Sequence, residues 1–539
     1  MLYPLLFSRP RCVAALCAGG LLLVSCSAPA APPAIRPPAA IGPDSMVRVA
    51  AGPQYMRGAV HQFFWGKHYR KLWAVPVQAP VLNLRTVVPG GLTPTEAGGS
   101  FQTKNLRLVD RRGVQFVLRS VDKDATKALP ERLRNGPIGR LMKDQTSVIN
   151  PYGAYIVPHL AQAAGVFHTN PRLVYVADDP ALGAFRKEFA NALYLLEERP
   201  EGDQSGVSSF GRSALVESSR KVFTNLAFNP QARVDARQYL RARLFDMWLG
   251  DWSRREDQWR WASFRGAGGA TVYQAIPRDR DHAFFKFDDG LLTRIVSWVK
   301  SNYQSFHEKI KLRDVEGLNR AARPLDKSLL VYLTADDFRQ VADSMRLGLS
   351  DKVIKEALAV WPKEVYALAG AEFDRKLRGR REQLPAVAAR FYQLLAQEIE
   401  IPGTDQPERF VLEPADTGQL RVQVLRLHAG RPDSLINQRT FLVGQTRSIK
   451  LFGLGGNDVF ELRGLPDHRF AVGIYDGAGQ DVVALKMPAG ASNQPTNVLV
   501  YDSGDGNTLK VAKPIKTQAY VPAATEFDAA GWLLRHRLF

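Results

Sequence analysis

The stretch FDMWLGDWSRREDQW, residues 245–259, decides how the rest of the chain is interpreted. Its first half continues a helical pattern, Gly250 marks a turn, and the polar residues that follow lead into a strand. A second strand is predicted after the glycine-rich turn at 266–269, and it runs into IPRDRDHAF, residues 276–284. The sequence therefore predicts a helix, a polar loop and a hairpin that is followed by acidic residues.

A loop and a hairpin of this kind can supply the parts that phosphoryl transfer needs. That reaction uses a cation on the phosphates, a carboxylate near the attacking hydroxyl, and an amide and a second carboxylate on Mg²⁺. In protein kinases the base and the amide lie five residues apart, and the metal-binding Asp follows on the next strand pair. Here Gln258 offers an amide, and Asp279 and Asp281 offer carboxylates after the hairpin.

These segments resemble the atypical kinases of the CotH and HipA type, whose catalytic loop runs roughly G-[ND]-x-D-[RA]-H-x-x-N and whose metal motif resembles P-W-D-L-D-x-x-F. Upstream, residues 182–198 are similar to the segment that enters the kinase hinge, and residues 116–119 lie where a kinase carries its V-A-I-K strand. The resemblance covers residues 85–300. It implies an α+β fold with a bilobal, kinase-like central domain, and it implies Mg²⁺ and ATP as cofactors.

The resemblance also assigns roles to individual residues. Arg119 stands at the position of the strand lysine, where a guanidinium can still clamp phosphate. The metal ligands that the resemblance implies are Gln258, Asp279 and Asp281. Asp144 is the one acidic residue between Glu131 and Asp178, so we expect it to be the helix-borne acidic partner of Arg119 in the nucleotide site.

The loop departs from the family pattern at its central position. Counting five residues back from Gln258 gives Ser253 where the family has its catalytic Asp, and a hydroxyl cannot accept the substrate proton as a carboxylate does. Asp251 is the candidate catalytic residue if the loop bends to present it. We therefore expect a degenerate domain that acts by binding or scaffolding. The alternatives are an active Mg²⁺-dependent phosphotransferase on an exported substrate, and a structural or assembly module of the outer membrane that binds no nucleotide.

The N-terminus carries the pattern of an exported lipoprotein. Arg9 and Arg11 precede an apolar run at 13–24, which has the length of a signal-peptide core and is shorter than the ~20 residues that span a bilayer. The run ends in LVSC, which resembles the lipobox of bacterial lipoproteins with Cys26 as the lipid-modified residue. Ser27 rather than Asp follows, so we expect a lipid anchor in the outer membrane. The expected boundaries are a signal peptide over 1–25 and a Pro/Ala-rich tether over 26–44.

The composition restricts the class of partner. The chain has 539 residues, with 72 Lys plus Arg against 53 Asp plus Glu, a formal net charge of +19 and a hydrophobic content of 45%. These proportions exclude a wholly disordered chain. On an exported protein the positive charge favours an anionic surface ligand or an outer-membrane protein as a partner. The basic residues form no dense block with interleaved aromatics, so we expect no nucleic acid.

Local patterns divide the folded part into three regions. They are a strand-rich N-lobe over 45–134, a mostly helical C-lobe over 135–400 and a β-rich C-terminal domain over 405–539. The spacing of apolar residues predicts helices over 182–198 and 232–250. In the second of these helices Arg243 is expected on the polar side, opposite Leu244.

Two glycine-rich turns repeat in the C-terminal region. GLGGNDVF at 453–460 is echoed by DGAGQDVV at 476–483, and DSGDGN at 502–507 is a weaker third copy. They resemble the turns of calcium-binding β-rolls, but those have a nine-residue period that is not found here. We therefore expect turns between strands of a β-sandwich or a short β-solenoid rather than a calcium site. The order of regions also resembles the soluble part of surface-antigen-type outer-membrane proteins.

Overall fold

The computed structural model describes residues 45–99, 103–229, 231–487, 495–504, 506–511 and 513–519. The predicted signal peptide, the tether and Cys26 lie outside the described residues. Within them the protein has a strand-rich N-terminal part, a helical middle and an all-β C-terminal part, which confirms the α+β class. No helix in this part of the chain combines the length and the apolar character that a membrane crossing requires.

The N-terminal part begins with a two-stranded ribbon and two short helices. The ribbon pairs β1 (Met46–Ala50) with β2 (Pro76–Pro80) in antiparallel register. Between them lie α1 (Ala59–Trp65) and α2 (Arg70–Ala74). The inward residues of the ribbon, including Val49 and Val77, join the largest hydrophobic core of the protein.

A five-stranded antiparallel sheet follows, in the order β3-β4-β5-β7-β6. Its strands are β3 (Thr93–Gly98), β4 (Asn105–Val109), β5 (Gln115–Ser120), β6 (Arg172–Val176) and β7 (Ala192–Glu198). The helices between β5 and β6 are α3 (Glu131–Arg134), α4 (Pro137–Asp144) and α5 (Gly153–Ala164), and α6 (Arg186–Phe189) precedes β7. Apolar side chains on one face, such as Leu106, Leu118 and Leu196, form a separate small core.

The predicted helix over 182–198 is wrong in its second half. That half is β7, which lies between β5 and β6 and is buried along most of its length. Its sequence ALYLLEE therefore has no alternation of apolar and polar residues, and a short buried strand cannot be told from a helix by periodicity. β6 and β7 also extend the N-terminal sheet beyond residue 134, since they pair with strands that lie far away in sequence.

A four-stranded sheet carries the loop and hairpin singled out in the sequence. Its order is β8-β10-β11-β9. The strands are β8 (Val216–Ser218), β9 (Ala232–Val234), β10 (Trp259–Arg265) and β11 (Thr271–Pro277), and the helices are α7 (Ser219–Phe228) and α8 (Ala236–Leu249). The predicted hairpin is confirmed. The predicted helix over 232–250 is confirmed from Ala236 to Leu249, whereas Ala232–Val234 form strand β9, and Asp235 caps α8 by accepting the N–H of Gln238 at 3.0 Å.

Seven helices complete the middle of the chain. They are α9 (Leu291–Val299), α10 (Val315–Asn319), α11 (Arg323–Leu329), α12 (Ala335–Gly348), α13 (Asp351–Ala359), α14 (Lys363–Glu382) and α15 (Leu384–Ala396). Four of them, α10, α12, α14 and α15, pack against α8. Arg243 is fully buried, contrary to its predicted position on a polar side. Its Nε lies 2.9 Å from Oδ1 of Asp326 on α11, a carboxylate that the local pattern of α8 cannot reveal.

The C-terminal part consists of two sheets, and from residue 448 onwards the chain winds alternately between them. The first sheet has the order β12-β16-β18-β20-β22 and the second β15-β14-β13-β17-β19-β21. The strands are β12 (Glu398–Pro402), β13 (Glu408–Pro414), β14 (Gln419–Arg426), β15 (Ser434–Leu442), β16 (Ser448–Phe452), β17 (Val459–Leu462), β18 (Ala471–Tyr475), β19 (Val482–Leu485), β20 (Asn497–Asp502), β21 (Thr508–Lys510) and β22 (Lys516–Ala519). Apart from β13–β14 and β14–β15, every pairing is parallel, so each coil stacks on the one before it as in a β-solenoid.

Two ladders of side chains run along this solenoid. The rings of Phe452, Tyr475 and Tyr501 stack with centroids 4.6 and 4.1 Å apart. At the turn before the second sheet, Oδ1 of Asp458 accepts the N–H of Glu408, and Oδ1 of Asp481 accepts the N–H of Asp458, both at 2.7 Å. The repeated aspartates of the sequence therefore join successive coils.

Candidate functional site

The polar loop begins where α8 ends at Gly250. Gly250 has a φ of 72°, which a residue without a β-carbon adopts most readily, and the N–H of Asp251 returns to the carbonyl of Asp246 at 2.9 Å. A single 3₁₀ turn, Glu256–Gln258, then leads into β10. This sharp turn places the loop beside the end of the β10–β11 hairpin.

A buried group of ion pairs joins the loop to the hairpin. Nε of Arg254 lies 3.1 Å from Oδ2 of Asp246, and Nη2 of Arg254 lies 2.6 Å from Oδ2 of Asp251. Arg280, beyond the hairpin, places Nη1 2.5 Å from Oδ1 of Asp246. All of these side chains are buried, so the loop and the hairpin end are held as one unit.

Asp251, the candidate catalytic residue, belongs to this buried group. It has no exposed surface, and besides Arg254 its carboxylate accepts the N–H and the hydroxyl of Ser253 at 3.1 and 2.9 Å. The loop therefore does not bend so as to present Asp251 to a substrate. Asp257, a second aspartate of this loop, is exposed at the surface and pairs with Arg255.

The loop and the segment after the hairpin converge as the sequence predicts. Nε2 of Gln258 lies 3.5 Å from Oδ2 of Asp279, and Nη1 of Arg119 on β5 lies 3.6 Å from Oδ1 of the same carboxylate. Asp279 has a φ of 56°, a conformation in which Asp and Asn are among the most tolerated residues. The loop, the segment after the hairpin and β5 thus meet at one carboxylate.

Asp281 lies on the same wall and is bound by Lys123, which follows β5. Burial raises the pKa of Asp281, and the carboxylate of Asp279 adds to this effect while Lys123 opposes it. For Asp279, the charges of Arg119 and Lys123 outweigh burial and hold the pKa well below its ordinary value. The two acids and the two cations therefore neutralise one another in the free protein.

Arg119 has an acidic partner that sequence reasoning missed. Its Nε lies 2.5 Å from Oε1 of Glu197 on β7, and Oε2 of Glu197 accepts the hydroxyl of Thr169 at 2.7 Å. The two side chains are brought together by the pairing of β5 and β7, in which Glu197 lies opposite Val117, two residues from Arg119. A pairing of this kind cannot be derived from the local pattern of either strand.

Asp144 is not the partner of Arg119, which corrects the prediction. It ends α4 and lies beside α1 and α2, where Nη2 of Arg70 is 2.7 Å, Nε2 of His61 is 2.9 Å and Nε of Arg57 is 3.1 Å from its oxygens. Although burial acts in the opposite direction, His61 and Arg70 lower the pKa of Asp144 far below its ordinary value. Asp144 therefore ties the helices of the N-terminal part together.

A small, open cleft lies next to this cluster, and the volume of about 380 Å³ between its walls includes open solvent. Its walls come from β5, β7, α5 and the segment after β11, and among the lining residues are Arg119, Glu197, Asp279, Arg280 and Asp281. Nε and Nη2 of Arg280 are buried donors without a hydrogen-bond partner among the described residues. The cleft thus combines acids, cations and unsatisfied N–H groups at the place that the sequence indicates.

The described residues contain no group of three or more His, Cys, Asp or Glu side chains that is arranged to hold a metal ion. Comparison of this chain with protein-family models, with curated proteins and with solved structures found no match. The resemblance to the CotH and HipA type of kinase, and the roles that it implies for single residues, therefore stay predictions.

Proposed function

We propose that this cleft is the degenerate nucleotide site of a kinase-like domain, and that the protein uses it for binding or scaffolding rather than for phosphotransfer. The observation that carries the proposal is the meeting of Arg119, Gln258 and Asp279 within 3.6 Å. Arg119 lies on the third strand of the five-stranded sheet, and the third strand of a kinase likewise carries the phosphate-binding lysine. The helical part would then be the second lobe.

The cations of the cleft support the binding of a phosphate group. Arg119 and Lys123 lie close to the cleft wall, and in the free protein both form ion pairs with carboxylates. The buried Nε and Nη2 of Arg280 lack acceptors within the described residues. Because an unsatisfied buried donor costs about 1–3 kcal/mol, phosphate oxygens that accept from Arg280 would remove a penalty as well as add ion pairs.

The acids of the cleft support a divalent cation that would enter with the phosphate. Mg²⁺ in nucleotide sites is commonly held by one or two carboxylates together with phosphates and water, so Asp279 and Asp281 fit this role. When bound, the metal would neutralise phosphate charge. Gln258 does not fit as a ligand in its present orientation, because its Oε1 accepts the N–H of Arg255 at 3.0 Å and its Nε2 faces Asp279.

The loop supports binding without transfer. Ser253 occupies the position of the catalytic carboxylate, and its hydroxyl donates to Asp251. Asp251 in turn is enclosed by Arg254, so no carboxylate of the described loop is free to receive a proton from a substrate hydroxyl in the cleft. Loss of such a group lowers rates by about 10²–10⁴, which favours a binding role.

The proposal includes the location of the protein in the cell. We propose that Cys26 carries the lipid that attaches the chain to the outer membrane, as the lipobox-like sequence LVSC indicates. The cleft would then face a compartment outside the cytoplasm, where the partner is an anionic surface ligand or an outer-membrane protein. A binding module is consistent with that setting, because it needs no continuous supply of nucleotide.

Ligand-dependent thermal unfolding of the full chain tests the proposal. The probes are Mg²⁺ with ATP, ATP with a chelator, and inorganic phosphate. At 100 times its dissociation constant a ligand adds about 2.7 kcal/mol of stability, and we expect such a shift with Mg²⁺ and ATP. Asp279→Asn keeps the backbone preference of Asp279 and removes its charge, so it should weaken the Mg²⁺-dependent part at least about tenfold.

Asp257→Asn is the matched control, since it removes an exposed carboxylate from the loop that precedes the hairpin and should leave the shift unchanged. No shift with any of the three probes would overturn the nucleotide site and leave the structural or assembly module. Transfer of labelled phosphate from ATP that is abolished by Asp279→Asn would instead establish the phosphotransferase. Both results are distinct from binding without transfer.

A further inference from the structure

Helix α9 is built with its polar side chains inside. Thr293 and Ser297 are buried against the protein, and each has a backbone partner: Oγ1 of Thr293 accepts the N–H of Gly290 at 3.1 Å, and the hydroxyl of Ser297 donates to the carbonyl of Tyr303 at 2.5 Å. A surface helix of a globular protein has the opposite arrangement, with its apolar stripe towards the core. The outward face of α9 therefore serves something other than the fold.

That outward face is apolar and carries the most exposed tryptophan in the described part of the chain. Trp298 is 85% exposed and Val299 is 69% exposed. Leu291, Ile295 and Val296 on the same helix are also exposed. Single exposed apolar residues are ordinary, but five on one nine-residue helix form a contiguous patch of the kind that marks an interaction site.

Helix α1 extends this patch. It packs against α9, and it exposes Val60 and Phe63 by 65% and 62%. The contact is close, since a β-carbon on Gly290 would lie 2.3 Å from the backbone nitrogen of Gly66. His68 and Asp289, whose Nδ1 and Oδ1 lie 2.6 Å apart, fasten the two segments together. We call the exposed apolar side chains of α1 and α9 the helix-pair surface.

The two helices themselves carry positive charge only, and Asp288 and Asp289, which precede α9, are paired with His307 and with His68 and Lys286 respectively. Neither α1 nor α9 contains an acidic residue, and there is no Asp or Glu from Ser45 to Thr95. Arg294 on α9 and Lys67 just after α1 are exposed. Such a surface complements a partner that is apolar inside and anionic at its edge, which is the chemistry of a lipid bilayer with anionic head groups.

We propose that the helix-pair surface docks on an anionic lipid bilayer, with Trp298 and Phe63 inserted at the level of the head groups. Trp is enriched at membrane–water interfaces because its ring is apolar and its N–H is polar, and Trp298 stands at the tip of this surface. The surface lies near the N-terminal end of the described residues, which begin at Ser45. Docking here is independent of the cleft and of any nucleotide, and it would orient the folded part against the membrane.

Binding to vesicles tests this proposal in the full chain with Cys26→Ala, which excludes a lipid anchor from the measurement. Vesicles of phosphatidylcholine with about 30% phosphatidylglycerol should bind the protein, and vesicles of phosphatidylcholine alone should bind it more weakly. Trp298→Asp should lower the affinity for the mixed vesicles at least about tenfold, and Arg294→Glu should reduce the preference for anionic vesicles. Both positions are exposed, so the variants should fold.

Leu347→Asp is the matched control, because Leu347 is 73% exposed on α12 and outside the helix-pair surface. Quenching of tryptophan emission by brominated lipid provides a second measurement, which Trp298→Phe should abolish. Equal vesicle binding by the Trp298→Asp variant and the control would overturn the proposal. It would also be overturned if the chain bound no vesicles and Trp298→Asp instead dissolved a dimer, since the surface would then be an interface between two copies.

Discussion

The carboxylate of Asp251 is fully buried, and its contacts with Arg254 and Ser253 stabilise the loop. Burial alone would raise its pKa, but the charge of Arg254 outweighs burial and holds the pKa below its ordinary value of 3.8. The carboxylate is therefore ionised at neutral pH in the fold. Because the folded pKa is the lower one, the stability that it contributes is present above about pH 4 and is lost as the pH falls below that value.

We predict that Asp251→Ala lowers the free energy of unfolding by about 3–5 kcal/mol, because it leaves Arg254 buried without one of its counter-ions. Urea unfolding at pH 7 measures this change. A catalytic residue at the surface of a cleft would give a different result, since its removal leaves stability unchanged. Asp257→Ala is the control for the loop, and its exposed ion pair should account for no more than about 1 kcal/mol.

For single residues, the sequence predicts contacts between side chains that lie close to one another in the chain. Gln258 and Asp279 flank one hairpin, so a confirmed hairpin is enough to bring them together. The pair of Arg119 and Glu197 depends on two strands that meet across the sheet, and the partners of Asp144 come from residues 57–70. Neither set of contacts leaves a pattern in the local sequence. The sequence therefore does not identify Glu197 as the partner of Arg119, and it assigns Asp144 to Arg119 instead of Arg70.

Among the elements, the ladder that joins the solenoid coils contains a buried acid, Asp458, that acts as a neutral group. Burial raises the pKa of Asp458 from 3.8 to about 9, so its carboxyl is protonated at neutral pH in the fold. The next coil uses Asn507 for the same contact, since its Oδ1 accepts the N–H of Asp481 at 2.8 Å. An amide and a protonated acid have the same shape, and the geometry of the ladder suits either.

We predict that Asp458→Asn makes the solenoid less sensitive to pH. The folded pKa of Asp458 lies above the unfolded one, so the stability due to its neutral form is complete below about pH 4 and is lost as the pH rises towards 9. Between pH 5 and 8 the wild type should lose up to about 1.4 kcal/mol per pH unit relative to the variant. Thermal unfolding at several pH values measures the two slopes.

Asp467→Asn is the control with the opposite sign. The side chain and the N–H of Arg469 hydrogen-bond to Asp467 and lower its pKa, so the charged form stabilises the fold above about pH 4. This variant should lose the same small amount of stability at pH 5 and at pH 8. Equal slopes for the wild type and Asp458→Asn would show that Asp458 is ionised in the fold.

Burial alone does not decide which secondary-structure elements the sequence predicts, since α8 is predicted correctly although most of its residues are buried. α8 and the β10–β11 hairpin follow from helical spacing, tryptophan-rich strands and a glycine turn. The sequence predicts a helix where β7 lies, because a strand that is covered on both faces does not alternate between apolar and polar residues. The repeat of glycine-rich turns indicated coils of a solenoid as one of two options, and the parallel register of the strands distinguishes them.

Across the whole molecule, the helical middle and the solenoid are joined through Arg439 on β15. Its guanidinium donates to the carbonyl of Val331 and, at 3.0 Å, to the hydroxyl of Tyr392 on α15. The hydroxyl of Tyr392 continues to Oε1 of Gln445 at 2.7 Å. Arg439 is buried here, so it connects the last helix to the first coils of the solenoid.

We predict that Arg439→Ala uncouples the unfolding of these two parts. Removal of the guanidinium leaves the carbonyl of Val331 without this donor and opens space beside the ring of Phe441. Calorimetry should then show a broader or divided transition in place of the wild-type profile. Arg421→Ala, on the exposed face of the adjacent strand β14, is the control and should leave the profile unchanged.

The sequence predicts the order of the regions along the chain, but it does not predict how the helical part and the solenoid contact each other. A change from helical spacing to short strands near residue 400 is visible in the sequence, and the structure places the end of α15 and the start of β12 there. Arg439 makes a buried contact at the joint, although it lies 108 residues from Val331 in the sequence and looks like any surface arginine in a strand. Long-range contacts of single side chains leave no pattern that a sequence can reveal by itself.

The register of the solenoid has a consequence for the length of the chain. Val459 on β17 pairs with Val482 on β19, and each following residue keeps the same offset of 23. Removing residues 459–481 would therefore join Asp458 directly to Val482 with one whole winding deleted and every remaining neighbour in its former type of contact. Size in this part of the molecule is modular: the next winding has an offset of 26 between Val482 and Thr508 and keeps the same parallel pairing, so extra residues are accommodated between the strands while whole windings add or remove length.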